Sequence, residues 1–293
     1  MTIRPDPWRC NADLHCHSNM SDGVLEPAAL VARAIDNGVE LFSLTDHDEV
    51  SGQQRAADAA RERGLDYVGG VEVSVSWGGE TVHVVGLRID WNDQALCAGL
   101  ARTRSGRDSR AREMAVQLER AGVPDAWAGA MRHVGNPALI SRTHFARHIV
   151  ECGICDDVSE VFRKYLVEGK PGYVEHRWAR LTEAVEWIRG AGGVAVLAHP
   201  GRYRFNETAL WALVDEFRLA GGQAIEVVCG SHTRDQFRRF ARVALEAGLA
   251  ASRGADFHAP GERHTELGRL PLLPDSVVPV WKDWPEFLDR TAA

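Results

Sequence analysis

The sequence predicts an α/β fold interrupted by an inserted helical block. Two observations carry this expectation. Short apolar runs alternate with amphipathic stretches at helical spacing over residues 10–90 and again over 177–258. Between them, from about residue 93 to 176, helices and loops follow one another with no convincing strand. The expected division is therefore a scaffold of residues 1–98 and 177–293 with an insertion of 99–176.

Each element has a local reason. The chain opens with a strand that runs into Asp13-Leu14-His15-Cys16-His17. Side chains alternate along a strand, so His15 and His17 share a face and Cys16 takes the other. Glu26–Asn37 reads as a helix, with Pro27 in its first turn and Gly38 as its stop. Val39–Thr45 is a buried strand ending in Asp46-His47-Asp48. Ser51 is expected to cap a helix that runs to Arg63 and stops at Gly64. Leu65–Val73 forms a third strand carrying Glu72, and Thr81–Ile89 a fourth carrying His83. The insertion holds helices at Arg107–Arg120, Pro137–Val150 and Val158–Val167. Beyond it, Thr182 is expected to cap a helix to Ala191, and Gly193–Ala198 is a strand leading into His199-Pro200. Helix Glu207–Ala220, strand Gln223–Val228, helix Thr233–Ala247 and strand Leu249–Ala255 follow. The last strand delivers Asp256-Phe257-His258, and a short helix is expected near Trp284–Arg290.

Composition excludes several classes. Of 293 residues 45% are hydrophobic and 26% charged, as in ordinary globular proteins. The net charge of −7 makes the surface as a whole a poor binder of nucleic acid. A nucleotide or a short RNA, drawn by a local cluster, is expected rather than a DNA duplex. No apolar run reaches the ~20 residues of a membrane span. Arg4, Asp6 and Arg9 interrupt the N-terminus where a secretory leader would be apolar, so the cytoplasm is the expected setting. Cys152-x-x-Cys155 has no second pair and reads as structural. Oligomeric state is left open.

The strand ends carry the chemistry. They deliver His15 and His17, Asp46 and His47, Glu72, His83, His199, and Asp256 with His258, while Asp22 follows the first on a turn. In parallel α/β folds reactive residues gather at the C-terminal ends of strands. Any one of these residues alone reads as structural; together they read as a site. Imidazole and carboxylate without thiolate suit Mn²⁺, Fe²⁺ or Zn²⁺, with the carboxylates favouring Mn²⁺. The ligands outnumber what one ion takes, so two or three ions are implied.

Asp13-Leu14-His15-Cys16-His17-Ser18, Leu44-Thr45-Asp46-His47-Asp48, Glu72-Val73, Ala198-His199-Pro200-Gly201 and Asp256-Phe257-His258 together resemble the signatures of the PHP family, the polymerase-and-histidinol-phosphatase group of metal-dependent phosphoesterases. The resemblance implies a distorted (β/α)7 barrel, here with an inserted, mainly helical cap domain, and commonly three metals. It implies His15, His17, Glu72 and Asp256 on one ion. It places Glu72, His83 and His199 on a second, and Asp22, His47 and His258 on a third. Water bridging two ions, held by Glu72 and Asp256, would lose its proton near neutral pH and attack phosphorus. The insertion, with Gly169-Lys170-Pro171-Gly172-Tyr173-Val174 and Trp178, resembles one branch of the family. That branch contains nucleoside 3′,5′-bisphosphate phosphatases and a 5′→3′ exoribonuclease of short RNA.

Specificity is expected from the insertion. Arg102, Arg104, Arg107, Arg110 and Arg112 fall close together, and guanidinium forks fit phosphate oxygens. Arg104, Ser105, Arg107, Ser141, Arg142, His144, Lys170 and Arg177 are the expected substrate contacts, with Asp22 shared between metal and substrate. Tyr203, Phe205 or Trp178 would stack on a base. Metals plus arginines suit a substrate with two phosphates, hence cleavage of a nucleoside 3′,5′-bisphosphate at its 3′ ester. Exonucleolytic cleavage of short 5′-phosphorylated RNA is the same chemistry on another substrate. Histidinol phosphate, with one phosphate, fits less well, and a non-catalytic metal-binding domain less still.

Overall fold

The computed structural model describes residues 6–262 and 265–288. It is a mixed α/β fold built on two sheets. Strands β1 (Ala12–Asp13), β2 (Leu41–Phe42) and β3 (Asp66–Tyr67) form a small parallel sheet in that order. Strands β4 (Gly70–Trp77), β5 (Glu80–Leu87), β6 (Val194–Leu197), β7 (Ala224–Cys229) and β8 (Ala250–Gly254) form a larger one. The pairs β4–β5 and β5–β6 are antiparallel, whereas β6–β7 and β7–β8 are parallel. The named strands thus make no closed barrel. Backbone bonds nevertheless link the sheets where the chemistry lies. Leu14 N–H donates to Arg253 O and His17 N–H to Phe257 O, while Thr45 N–H donates to Cys16 O just past the pairing of β1 with β2. Across the other junction Glu72 N–H donates to Asp46 O.

The apolar periodicity becomes three packed clusters. Leu30 and Val31 of α1 (Pro27–Asp36) and Ala56 and Ala60 of α2 (Gln53–Arg63) cover Phe42 and Leu44. The main cluster packs α3 (Gln94–Arg104) with the large sheet, along with later helices named below. A third cluster belongs to the strandless stretch itself. It joins Met114 and Leu118 of α4 (Arg107–Arg120), Ala130 of α5 (Ala126–Arg132), Phe145 and Ile149 of α6 (Arg142–Glu151), Val161 of α7 (Val158–Val161), and Leu166. Phe145→Ala empties the middle of that cluster. It is expected to cost about 3–5 kcal/mol, read as a lowered midpoint in chemical denaturation.

The remaining helices are α8 (Leu181–Gly190), α9 (Glu207–Leu219), α10 (Arg234–Ala247) and α11 (Pro285–Leu288). Ile188, Phe217 and Phe240, one from each of the first three, join the main cluster, and Phe287 of α11 does too. Arg290, within the expected last helix, lies outside the described residues.

Several boundaries differ from the expectation, each for a local reason. The expected third strand divides between β3 and β4, because its two halves pair in different sheets. Gly52, not Ser51, precedes α2, and no side chain caps it. At α8 the cap is Arg180 with Glu183 rather than Thr182. The expected helix from Pro137 breaks at Ser141, whose extended backbone and side chain cap α6. The Val158 helix gives way to a π turn over Phe162–Leu166. Helices α3 and α5 were not read from the sequence. Arg104 closes α3 and Arg107 opens α4, so the arginine run spans two helices. Gly106 between them has φ +86°, a left-handed conformation that a side chain would strain.

Candidate metal centre and arginine-lined cavity

One carboxylate occupies the middle of the site. Glu72 on β4 is fully buried. Its Oε1 lies 2.8 Å from His83 Nδ1, 2.9 Å from His199 Nε2 and 3.3 Å from His15 Nε2. Its Oε2 lies 2.9 Å from His47 Nδ1 and 3.3 Å from His17 Nε2. A hub of this kind needs ligands from several strands, and the sheet junctions supply them. His15 and His17 follow β1, His47 follows β2, and His83 stands on β5 beside Ser74. His199 follows β6 with a φ of +27°, and Asp256 follows β8 with a φ of +53°. Gly254 lets the chains close up: a Cβ there would sit 2.3 Å from His15 Cβ.

The nine expected metal positions come together in four overlapping groups. His17, Asp22, His47 and His258 form one, and His15, Glu72 and His199 a second. His15, His17 and Asp256 form a third, and His47, Glu72 and His83 the last. The donor set fits divalent cations on a structural ground. His15 Nε2, both ring nitrogens of His17, Asp22 Oδ1, His47 Nδ1, Glu72 Oε2 and His199 Nδ1 are buried without hydrogen-bond geometry to any partner. Buried polar atoms are seldom left so, and most of these face one shared space. No helix is long and apolar enough to cross a membrane among the described residues.

Electrostatics agree with that fit. Burial alone would raise Glu72, but the surrounding His83, His47 and His15 outweigh it and hold the carboxyl well below its usual range. Asp22 is held low in the same way by His258 and His47 against burial. His17 is pushed down to about 3, chiefly by burial and then by His258 and His47, and so stays neutral and able to donate a lone pair. Burial also works to lower His47, yet Glu72 and Asp22 prevail and raise it to about 9. A raised His47 between lowered Glu72 and Asp22 is a charge balance of the kind that a bound cation can take over.

Buried groups outside the nine expected metal positions hold these ligands in place, and one of them, Glu226, was missed in the sequence reading. Glu226 on β7 accepts from His15 Nδ1 at 2.7 Å and from the His199 backbone N–H at 2.5 Å. An irregularity in the β7–β8 register falls between Glu226 and Val228. A charge within the buried run Ala224–Cys229 was the available signal. Glu226→Gln would set an amide N–H against one of the two donors. It is expected to weaken Mn²⁺ affinity by about 10–100-fold, as titration calorimetry would read. Asp46 accepts from Ser18 N–H, Ser18 Oγ and Ser21 Oγ, so it fastens the turn that carries Asp22. Burial raises Asp46 to about 6 against those hydrogen bonds. Asp48 accepts from Ser74 N–H and Oγ and pairs with Arg107 of α4.

The strandless stretch reaches the same centre. Thr143 Oγ1 donates to Asp22 Oδ2 at 2.9 Å, and Arg147 donates to the Asp22 carbonyl while pairing with Glu262. Arg107, Arg110, Ser141, Arg142 and Arg202 line a cavity with Asp22, His47 and His258. Neither Arg110 nor Arg142 makes an ion pair among the described residues. Burial, with Arg142 and Arg107 beside it, lowers Arg110 to about 9, and burial with Arg202 lowers Arg142. Two crowded guanidinium groups without a counter-charge make a place for an anion. Arg202, three residues past His199, holds Asp256 at 2.9 Å.

Of the other expected substrate contacts, Arg104, Ser105, His144, Lys170 and Arg177 do not line this cavity, whereas Trp178 does. Arg104 donates to the Asp48 carbonyl and faces Glu49, beside a groove with Trp91. Ser105 is exposed and bonds Arg102 O. His144 is wholly buried, accepts from the Ser141 N–H, and is pushed down to about 3 by burial. Lys170 is exposed on a turn, and Arg177 lines a groove shared with Arg110 and Trp178. The Trp178 ring already carries Arg107 at 4.5 Å and Arg110 at 5.4 Å. Tyr203 spends its hydroxyl between His83 N–H and Ala198 O. Phe205 meets Trp77 edge-on at 5.2 Å.

A buried imidazole–carboxylate cluster beneath unpaired guanidinium groups defines a phosphoesterase of the metal-dependent class. The chain belongs to the PHP family, whose domain model matches residues 13–218. It is 52% identical to a 3′,5′-nucleoside bisphosphate phosphatase of Chromobacterium violaceum, over 93% of this chain and 96% of that protein. It is 41% identical to a 5′–3′ exoribonuclease of Haemophilus influenzae, over 92% and 97% of the two chains. A 5′–3′ exoribonuclease of Escherichia coli is 40% identical over 93% of each. An amidohydrolase structure from Chromobacterium violaceum, with bound sulfate and no metal, superposes with a TM-score of 0.91 at 52% identity and covers 93% of this chain and 95% of that one. A metal-dependent phosphoesterase structure from Bifidobacterium adolescentis gives 0.80 at 26% identity, covering 94% and 95%.

Proposed function

We propose that this chain hydrolyses the 3′-phosphate of nucleoside 3′,5′-bisphosphates, such as adenosine 3′,5′-bisphosphate, to a 5′-mononucleotide and phosphate. One observation carries the reading. The buried ligand cluster and two unpaired guanidinium groups, Arg110 and Arg142, face one cavity, which suits a substrate with one phosphate to cleave and another to hold. The 52% identical phosphatase supports the substrate class. The exoribonuclease relatives favour a second reaction of the same site, 5′→3′ trimming of short 5′-phosphorylated RNA.

His15, His17, Glu72 and Asp256 would hold one divalent cation, Glu72, His83 and His199 a second, and Asp22, His47 and His258 a third. Mn²⁺ suits this mixed donor set. Bound cations supply Lewis acidity toward phosphoryl oxygens and acidify coordinated water. The chain's own residues do the rest. Glu72 and Asp256 orient the attacking water, while Arg202 neutralises the back of Asp256. Arg107, Arg110 and Arg142 grip the second phosphate, and Ser141 and Thr143 fix Asp22. Residues 99–176, with their own core, act as a cap that excludes bulk water over a scaffold of residues 1–98 and 177–293. We take that scaffold as a variant of the family's distorted barrel in which two separate sheets are linked by backbone hydrogen bonds.

The test compares kcat/KM of the Mn²⁺-loaded enzyme for adenosine 3′,5′-bisphosphate, a short 5′-phosphorylated RNA and histidinol phosphate. The bisphosphate is expected to lead and histidinol phosphate to trail by orders of magnitude. A preference for histidinol phosphate would overturn the reading.

A further inference from the structure

We propose that a second cavity, beyond His199, takes the second nucleotide of a 5′-phosphorylated RNA, so that one centre serves both a bisphosphate and an RNA strand. This rests on the reading above. The chemistry sets the requirement. In both reactions the oxygen of water joins phosphorus, and the bond from phosphorus to the 3′ oxygen of the first nucleoside breaks. That oxygen leaves with a proton. In the bisphosphate, phosphorus carries nothing further. In RNA it also carries the 5′ oxygen of the next nucleotide, which stays on phosphorus and must lead away from the first nucleoside. A centre that handles RNA therefore needs two ways out.

The fold provides two. The cavity with Asp22, His47 and His258 holds the unpaired Arg110 and suits the first nucleotide with its 5′-phosphate. A second cavity of about 220 Å³ meets it at His83, Arg142 and Arg202. It opens past His199 between the tip of the β4–β5 hairpin, the Tyr203-Arg204 turn and Glu168. The hairpin turns on Gly78 and Gly79, with φ +58° and +82°, and a Cβ on Gly79 would meet nothing within 4 Å. The mouth is thus unobstructed on that side.

Its lining suits a nucleotide rather than a bare anion. Tyr173 and Tyr203 are half-buried rings on which a base can stack. Arg204 is exposed and makes no ion pair among the described residues, so it is free to meet the phosphate of the strand that continues outward. Glu80 and Glu168 stand in the same wall. Their carboxylates can accept from ribose hydroxyls, whereas the first cavity, which shares Arg142 and Arg202, has only the expected metal ligand Asp22 as a carboxylate.

The test uses full-length wild-type protein and the Arg204→Glu variant, each loaded with Mn²⁺. The substrates are adenosine 3′,5′-bisphosphate and the 5′-phosphorylated diribonucleotide and tetraribonucleotide of adenosine. Arg204→Glu is expected to lower the ratio of kcat/KM for the tetranucleotide over that for the bisphosphate at least tenfold, mostly through KM. In metal-depleted protein, fluorescence anisotropy of a 3′-labelled tetranucleotide should show the same loss of affinity. Equal losses on bisphosphate and RNA would overturn the inference, as would wild-type protein that cleaves the bisphosphate and refuses RNA. Wild-type protein that cleaves neither would instead remove the functional reading itself, and this inference with it.

Discussion

Glu72→Ala is expected to leave a folded protein with almost no turnover, at least a thousandfold below wild type. The size follows from the position of the side chain. Five imidazoles, from His15, His17, His47, His83 and His199, stand within 3.3 Å of its two oxygens. Among the described residues no other carboxylate meets all five in the ion pairs found: Asp256 reaches His15 at 3.7 Å and His17 at 3.3 Å, and Asp22 lies toward His258 at 3.3 Å. Alanine removes the charge around which those rings gather and leaves the cluster positive whenever they carry protons. Cation binding then competes with repulsion. Elemental analysis should find at least one Mn²⁺ fewer per chain, and circular dichroism should stay unchanged in the far ultraviolet. Full turnover by metal-depleted Glu72→Ala protein would contradict the scheme.

Arg142→Ala is expected to raise KM for adenosine 3′,5′-bisphosphate at least tenfold and to leave KM for an aryl phosphate nearly unchanged. Arg142 lines both cavities and makes no ion pair among the described residues, and Arg202 and Arg107 add to its positive surroundings. A second phosphate supplies the missing counter-charge, and charge-assisted hydrogen bonds to a guanidinium are among the stronger ones. A substrate with one phosphate, held by the metal ligands, makes no such demand. Equal effects on both substrates would show that Arg142 supports the site instead of reading the second phosphate.

The candidate ligand positions could be read from the sequence because most of them stand in or just after an apolar run, where a His, Asp or Glu is costly to bury without a task. Alternation along a strand put His15 and His17 together and turned Cys16 toward Ser43. What the sequence could not disclose was long-range pairing. The division of the third expected strand between two sheets depends on partners far along the chain. Helix α3 escaped notice because its exposed face is polar and its apolar residues meet Trp187 and the sheet only in the fold. His144 illustrates a different difficulty. Its type suits a phosphate contact, yet Ser141 and His144 stand three apart across a helix start and cap each other. Arg104 and Arg107 stand three apart in sequence, but Gly106 turns the chain between them and they belong to two helices. Glu226 and Arg202 were overlooked because their partners, His15 and His199 for one and Asp256 for the other, are brought to them only by the fold.

The most direct measurement is an anomalous difference map at the manganese edge from crystals of Mn²⁺-loaded protein. The account predicts peaks beside the Glu72 carboxylate on the His15 and His199 sides, and another between Asp22, His47 and His258. A map with no manganese in contact with Glu72, from protein that still hydrolyses the bisphosphate, would contradict it.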